Sequence, residues 1–88
     1  MRISQKDLEN VVSRINRVMG TPAQPYVNGE PQAHCYHLSH EYRGYALHQM
    51  CSTGSGVRDV FGGHLPKRDL YDRMQAFLAG VDAARTKS

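Results

Sequence analysis

Five histidines and two cysteines are the residues of this 88-residue chain with the widest chemical reach. Cys35 and His37 alternate onto one side of an extended run, and His48 and Cys51 lie three apart in the next. Zinc accepts thiolates and imidazoles in tetrahedral sets, but structural zinc sites carry their ligands at short fixed spacings. Cys-x-His and His-x-x-Cys split over a hairpin match none of those spacings, and His48 and Cys51 fall on opposite faces of a regular strand. No metal and no other cofactor is expected. A cysteine with a histidine in reach is the minimum for nucleophilic catalysis. No third, orienting group stands in a recognisable pattern, and so short a chain has little room for a deep cleft. The chain is not expected to be an enzyme.

The second chemical oddity is a pair of cations. Gly62-Gly63-His64-Leu65-Pro66-Lys67-Arg68 reads as a glycine turn running into a helix. Lys67 and Arg68 then occupy its first turn, where the macrodipole favours acids and each cation costs roughly 0.3–1 kcal/mol. Two residues against a local rule mark a candidate binding corner. The segment lacks the Gly-x-x-x-x-Gly-Lys-Ser/Thr spacing of a nucleotide-hydrolase loop. It could still hold a phosphate through helix-end N–H groups and the two cations. Lys6, Arg14 and Arg17, with Asn10, stack in one stripe of the first helix and extend the candidate partner-binding or phosphate-binding set. A charged stripe is most often a solvated helix face.

The elements that must position these residues follow from periodicity. Ser4 and Asp7 form a variant capping box, Leu8, Val11, Val12, Ile15, Val18 and Met19 repeat at helical spacing, and Gly20 supplies a left-handed stop. These features predict a helix over Gln5–Met19. Thr21 to Gln32 holds three of the four prolines and reads as a covering loop, with Asn28-Gly29 able to close a tight turn and Tyr26 as its anchor. Ala33–Ser39, Tyr45–Cys51 and Val57–Phe61 read as three strands separated by turns, hence an antiparallel meander. Tyr36 and Leu38 share one face, as do Tyr45, Leu47 and Gln49. Pro66 opens a second helix whose apolar side is Leu70, Met74, Phe77, Leu78 and Val81, and which either ends at Gly80 or runs on into Val81 to Ala84. The order is α-β-β-β-α. The expected fold is a two-layer α+β domain over residues 1–84, both helices on one face of the sheet, followed by a flexible tail over 85–88.

Composition is that of an ordinary folded domain: 40% apolar, 22% charged, with a net charge of +3 and a pI near 9.1. That balance permits a polyanionic partner without demanding one. No apolar run approaches the roughly 20 residues of a membrane span, and no secretory signal is read at the start. Cys35 and Cys51 are accordingly expected as free thiols in a cytoplasm.

Several phrases together carry a resemblance. Arg14-Ile15-Asn16-Arg17 with Gly20, Gly44-Tyr45-Ala46-Leu47, Gly54-Ser55-Gly56-Val57, Lys67-Arg68-Asp69-Leu70-Tyr71 and Ala76-Phe77-Leu78-Ala79-Gly80 resemble a group of small proteins widespread in tailed-phage and prophage genomes. The resemblance covers most of the chain outside Thr21–Gln32, and His34, Cys35 and Cys51 stand outside the pattern. It implies a phage-borne accessory protein in the cytoplasm of a bacterial host, with no site residues to carry over. The element order is also that of the double-stranded-RNA-binding domain, where cations starting the second helix meet phosphates, although Leu70-Tyr71-Asp72 replaces its lysine-rich continuation. The reading from sequence is therefore a non-enzymatic protein binding a host macromolecule. A host protein is favoured over nucleic acid because the net charge is low and both helices mix signs, and a homodimer is a further option.

Overall fold

The computed structural model describes residues 2–52 and 56–86, so that Gly54 and Ser55 in the third expected turn, and Lys87 and Ser88, lie outside it. Helix α1 spans Gln5–Met19, and both halves of the capping box form. The Asp7 N–H donates to Ser4 Oγ at 3.1 Å, and the Ser4 N–H donates to the Asp7 carboxylate at 2.9 Å. Gly20 at φ +71° ends the helix, a left-handed conformation that glycine adopts without a side-chain clash.

Strands β1 (Tyr26–Val27) and β2 (Glu30–Pro31) form a separate hairpin around Asn28-Gly29. All four strand residues are exposed, Tyr26 at 56%, so Tyr26 does not anchor the loop to the core. Strands of two residues present too little surface to bury a face, and the segment stands away from the core as an arm.

Strands β3 (Tyr36–Glu41), β4 (Gly44–Met50) and β5 (Val57–Asp59) form the three-stranded antiparallel meander in the order β3-β4-β5. The first strand begins at Tyr36 rather than Ala33 because His34, at φ +72°, breaks the extended run. It continues to Glu41, which shortens the expected turn to Tyr42-Arg43. The third strand stops at Asp59 rather than Phe61, and Val57 is exposed. Pairing of Tyr36 with Gln49, Leu38 with Leu47 and His40 with Tyr45 sets one face of the sheet.

Helix α2 spans Lys67–Thr86 and runs through Gly80, so the chain from Arg85 to Thr86, expected as tail, is helical. Arg85 donates to the Val18 carbonyl at 2.6 Å, which ties the end of α2 to the end of α1. At the other end the Tyr45 hydroxyl donates to Gln5 Oε1, while the Tyr45 backbone pairs with Leu65 two residues before α2. The helices thus run parallel, with both starts beside Tyr45. Together they cover one sheet face in a two-layer α+β domain of order α-β-β-β-α, setting aside the small hairpin. Leu8 and Ile15 from α1, Leu47 from β4, and Leu70 and Met74 from α2 are fully buried between the layers. Phe77 is half-buried against the rings of Tyr36 and Phe61. Among the described residues, no helix is long and apolar enough to cross a membrane.

Gly44 shows how the second sheet face is fitted. A Cβ at this position would lie 3.0 Å from His64 Cβ and 3.2 Å from both the His64 carbonyl carbon and the Leu65 nitrogen. Those neighbours are held by two 2.7 Å hydrogen bonds between Tyr45 and Leu65 and cannot retreat cheaply. Gly44→Ala is expected to cost about 1–3 kcal/mol, the usual range for overpacking. A urea midpoint within error of wild type would show that the 61–65 segment yields.

Candidate binding surface

The five cations singled out in the sequence are divided among distinct settings. Lys6, Arg14 and Arg17 are exposed on α1. Arg14 lines a groove of ≈ 400 Å³ between the helices, with Val18, Leu78 and Ala79 as its apolar part and Gln75, Asp82 and Arg85 as its polar part. Lys67 is half-buried, because it falls on the arc of α2 that carries Leu70, Met74 and Leu78. Arg68 is exposed and pairs with Asp72 one turn later at 3.5 Å, an (i, i+4) surface contact of the kind worth at most about 1 kcal/mol. Asp69 adds a negative charge to the same first turn. The corner is therefore of mixed sign, and Lys67 and Arg68 do not project together.

The same end of the molecule holds a feature the sequence reading missed. The β3–β4 turn places Tyr42 at φ +52° and Arg43 at φ +62°. Two-residue hairpin turns of this kind favour Asn-Gly, since both residues must be left-handed. Asn28-Gly29 fills the other such turn in the described residues, at φ +52° and +80°. Tyr42 and Arg43 thus occupy positions that suit neither, and Tyr42 is 91% exposed. Its ring meets that of His64 edge-on at 6.3 Å, and His64 precedes Lys67 by three residues. The tip, the start of α2 and the start of α1 thereby border one another.

Three of the five histidines gather on the second sheet face. The rings of His37 and His48 meet edge-on at 5.7 Å and those of His48 and His64 at 5.8 Å. Ser39 Oγ lies 3.1 Å from His64 Nε2, and Asp59 lies 4.0 Å from His48 Nε2. Burial pushes the His37 imidazole below its ordinary pKa, and His48 adds to that against a smaller opposing hydrogen bond at Leu38. No set of three His, Cys, Asp or Glu side chains among the described residues is placed to hold a metal ion. Both cysteines are free. Cys35 is buried and its thiol donates to the Tyr36 carbonyl at 3.3 Å. Burial pushes its pKa up, partly offset by a hydrogen bond with Asn16, so it is a weak nucleophile.

Searches against protein-family models, curated proteins and solved structures find no match for this chain.

Proposed function

We propose that this is a small non-enzymatic binding protein, a phage or prophage accessory factor that engages a host protein through the end of the domain bearing Tyr42 and Arg43. The observation that carries the reading is the turn itself. Holding a tyrosine and an arginine left-handed costs roughly 1–2 kcal/mol per residue, and such outliers cluster where function over-determines the backbone. Tyrosine and arginine are also the residue types that most often anchor protein interfaces, offering large area at low entropic cost. The mixed signs of Arg68, Asp69 and Asp72 beside them suit a protein surface better than a uniform polyanion. The phage origin and the bacterial cytoplasm rest on the sequence resemblance alone.

One observation favours nucleic acid as the second reading. The helical layer and its lead-in carry eight cations (Arg2, Lys6, Arg14, Arg17, Lys67, Arg68, Arg73, Arg85) against five acids (Asp7, Glu9, Asp69, Asp72, Asp82). The sheet side carries two (Arg43, Arg58) against three (Glu30, Glu41, Asp59) among the described residues. Capture from host lysate on immobilised protein, with and without nuclease, separates the two readings. The protein reading expects a nuclease-resistant partner, and capture abolished by nuclease would replace it with the second.

The Lys67→Glu, Arg68→Glu double variant is informative in the same assay. New acids complement the helix start but lose the Arg68–Asp72 pair and repel Asp72, so stability should change by less than about 1 kcal/mol. Binding to an acidic surface or to nucleic acid should fall at least tenfold. Unchanged binding would remove Lys67 and Arg68 from the interface and leave Tyr42 and Arg43 as its centre.

A further inference from the structure

The cluster on the second sheet face is unlike the rest of the surface. Three imidazoles from three separate segments touch in a row, His37 from β3, His48 from β4 and His64 from the bulged 61–65 connection. They lie beside small residues, since Gly44 leaves no room for a Cβ beneath His64 and Ala46 is fully buried. His37 Nε2 is itself buried and has no hydrogen-bond partner among the described residues. The 61–65 segment is held to β4 by the reciprocal Tyr45–Leu65 hydrogen bonds and to β3 by the Ser39–His64 contact. Gly62 and Gly63, at φ +82° and +129°, form its root, where the Gly62 N–H donates to Asp59 Oδ1 at 3.0 Å.

We propose that the His37–His48–His64 cluster is a pH-responsive latch, holding the 61–65 segment closed over β4 near neutral pH and releasing it in mild acid. The charge balance supports this. Asp59 on β5 stands 4.0 Å from His48 Nε2. From β3, Glu41 shares the face by alternation but is exposed; from the β3–β4 turn come Tyr42, at the His64 ring, and the exposed Arg43, a further cation. A proton added at the buried Nε2 of His37 has no acceptor among the described residues and stands beside the His48 ring. The sign follows from His37, whose native pKa is pushed down. The open chain takes the proton first, so acid favours opening from about pH 6.5 downward until the native value is passed.

Amide hydrogen exchange at pH 7.5 and 5.0, corrected for intrinsic rates, tests the latch. Protection of the Tyr45 and Leu65 amides should fall severalfold in acid, while the Val11, Val12 and Ile15 amides keep theirs. The response should be flattened in His48→Gln and in His37→Gln, and either variant suffices if the other fails to fold. Equal protection of Tyr45 and Leu65 at both pH values would overturn the latch. So would a uniform loss that includes α1, or a full acid response persisting in the folded variants.

Discussion

Asn16→Leu should lower the unfolding free energy by roughly 2–6 kcal/mol, enough to leave much of this small domain unfolded. Asn16 is the one polar residue in the core among the described residues, 3% exposed near the end of α1. Its Oδ1 accepts the Tyr36 N–H at 2.8 Å and the Thr21 hydroxyl at 2.7 Å, and its Nδ2 donates to the Tyr36 carbonyl at 2.9 Å. Tyr36 opens β3, the strand at one edge of the sheet. The amide therefore stands in for a missing neighbouring strand, supplying both the donor and the acceptor that a backbone partner would give. Leucine removes both, orphaning the buried Tyr36 N–H and leaving its carbonyl only the weak Cys35 thiol donor, each loss costing up to about 1–3 kcal/mol. Asn16→Asp separates this account from simple packing. A carboxylate keeps an acceptor for the Tyr36 N–H but turns a second oxygen on the Tyr36 carbonyl. Burial raises the pKa of that carboxyl, so the folded state binds a proton the unfolded state lacks. The Asn16→Asp variant should therefore gain stability relative to wild type as pH falls toward 4. Urea midpoints at pH 7 and pH 4.5 measure both effects. An Asn16→Leu loss under 1 kcal/mol would mean that the Tyr36 groups find other partners.

This residue shows what the sequence could and could not disclose. Periodicity over Leu8, Val11, Val12 and Ile15 located α1, because burial on one face leaves a direct signature in spacing. Alternation did the same for Tyr36 and Leu38 against Tyr45 and Leu47. Asn16 interrupts the apolar arc of α1 without any local sign of where its amide will point, since its partner is twenty residues away. The histidine cluster was hidden for a related reason. His37 and His48 meet through the strand register, but His64 reaches them only because Gly62 and Gly63 bulge the chain, and glycine spacing does not encode a direction. Gly80 left two outcomes open, a helix end or a turn running on into Val81 to Ala84. The helix runs on through it to Thr86, with Arg85 tied to α1. Lys67 looked free at a helix start and proved half-buried, because one position around a helix decides whether a side chain faces a neighbour or water.

The tip of the β3–β4 hairpin should be worth more to a partner than to the fold, so replacing Tyr42 and Arg43 by Asn and Gly should stabilise the protein while abolishing binding. Asparagine and glycine fit the two left-handed positions, as Asn28 and Gly29 do in the β1–β2 hairpin. Relief of strain in two residues amounts to roughly 2–4 kcal/mol at most. Against it stand the added chain entropy of a new glycine, about 0.5–1 kcal/mol, and the loss of the Tyr42–His64 ring contact, about 0.5–1 kcal/mol. The expected net gain is about 1–2 kcal/mol, with little apolar burial lost because Tyr42 is 91% exposed. An anchor tyrosine or arginine usually contributes at least 2 kcal/mol to an interface, so affinity for the captured partner should fall by at least about thirtyfold. Thermal denaturation and partner binding measured on the same variant decide the matter. A stabilised protein that still binds would show that the strained turn is not the interface. A destabilised one would show that the Tyr42–His64 contact holds the hairpin, and the strain would then belong to the fold.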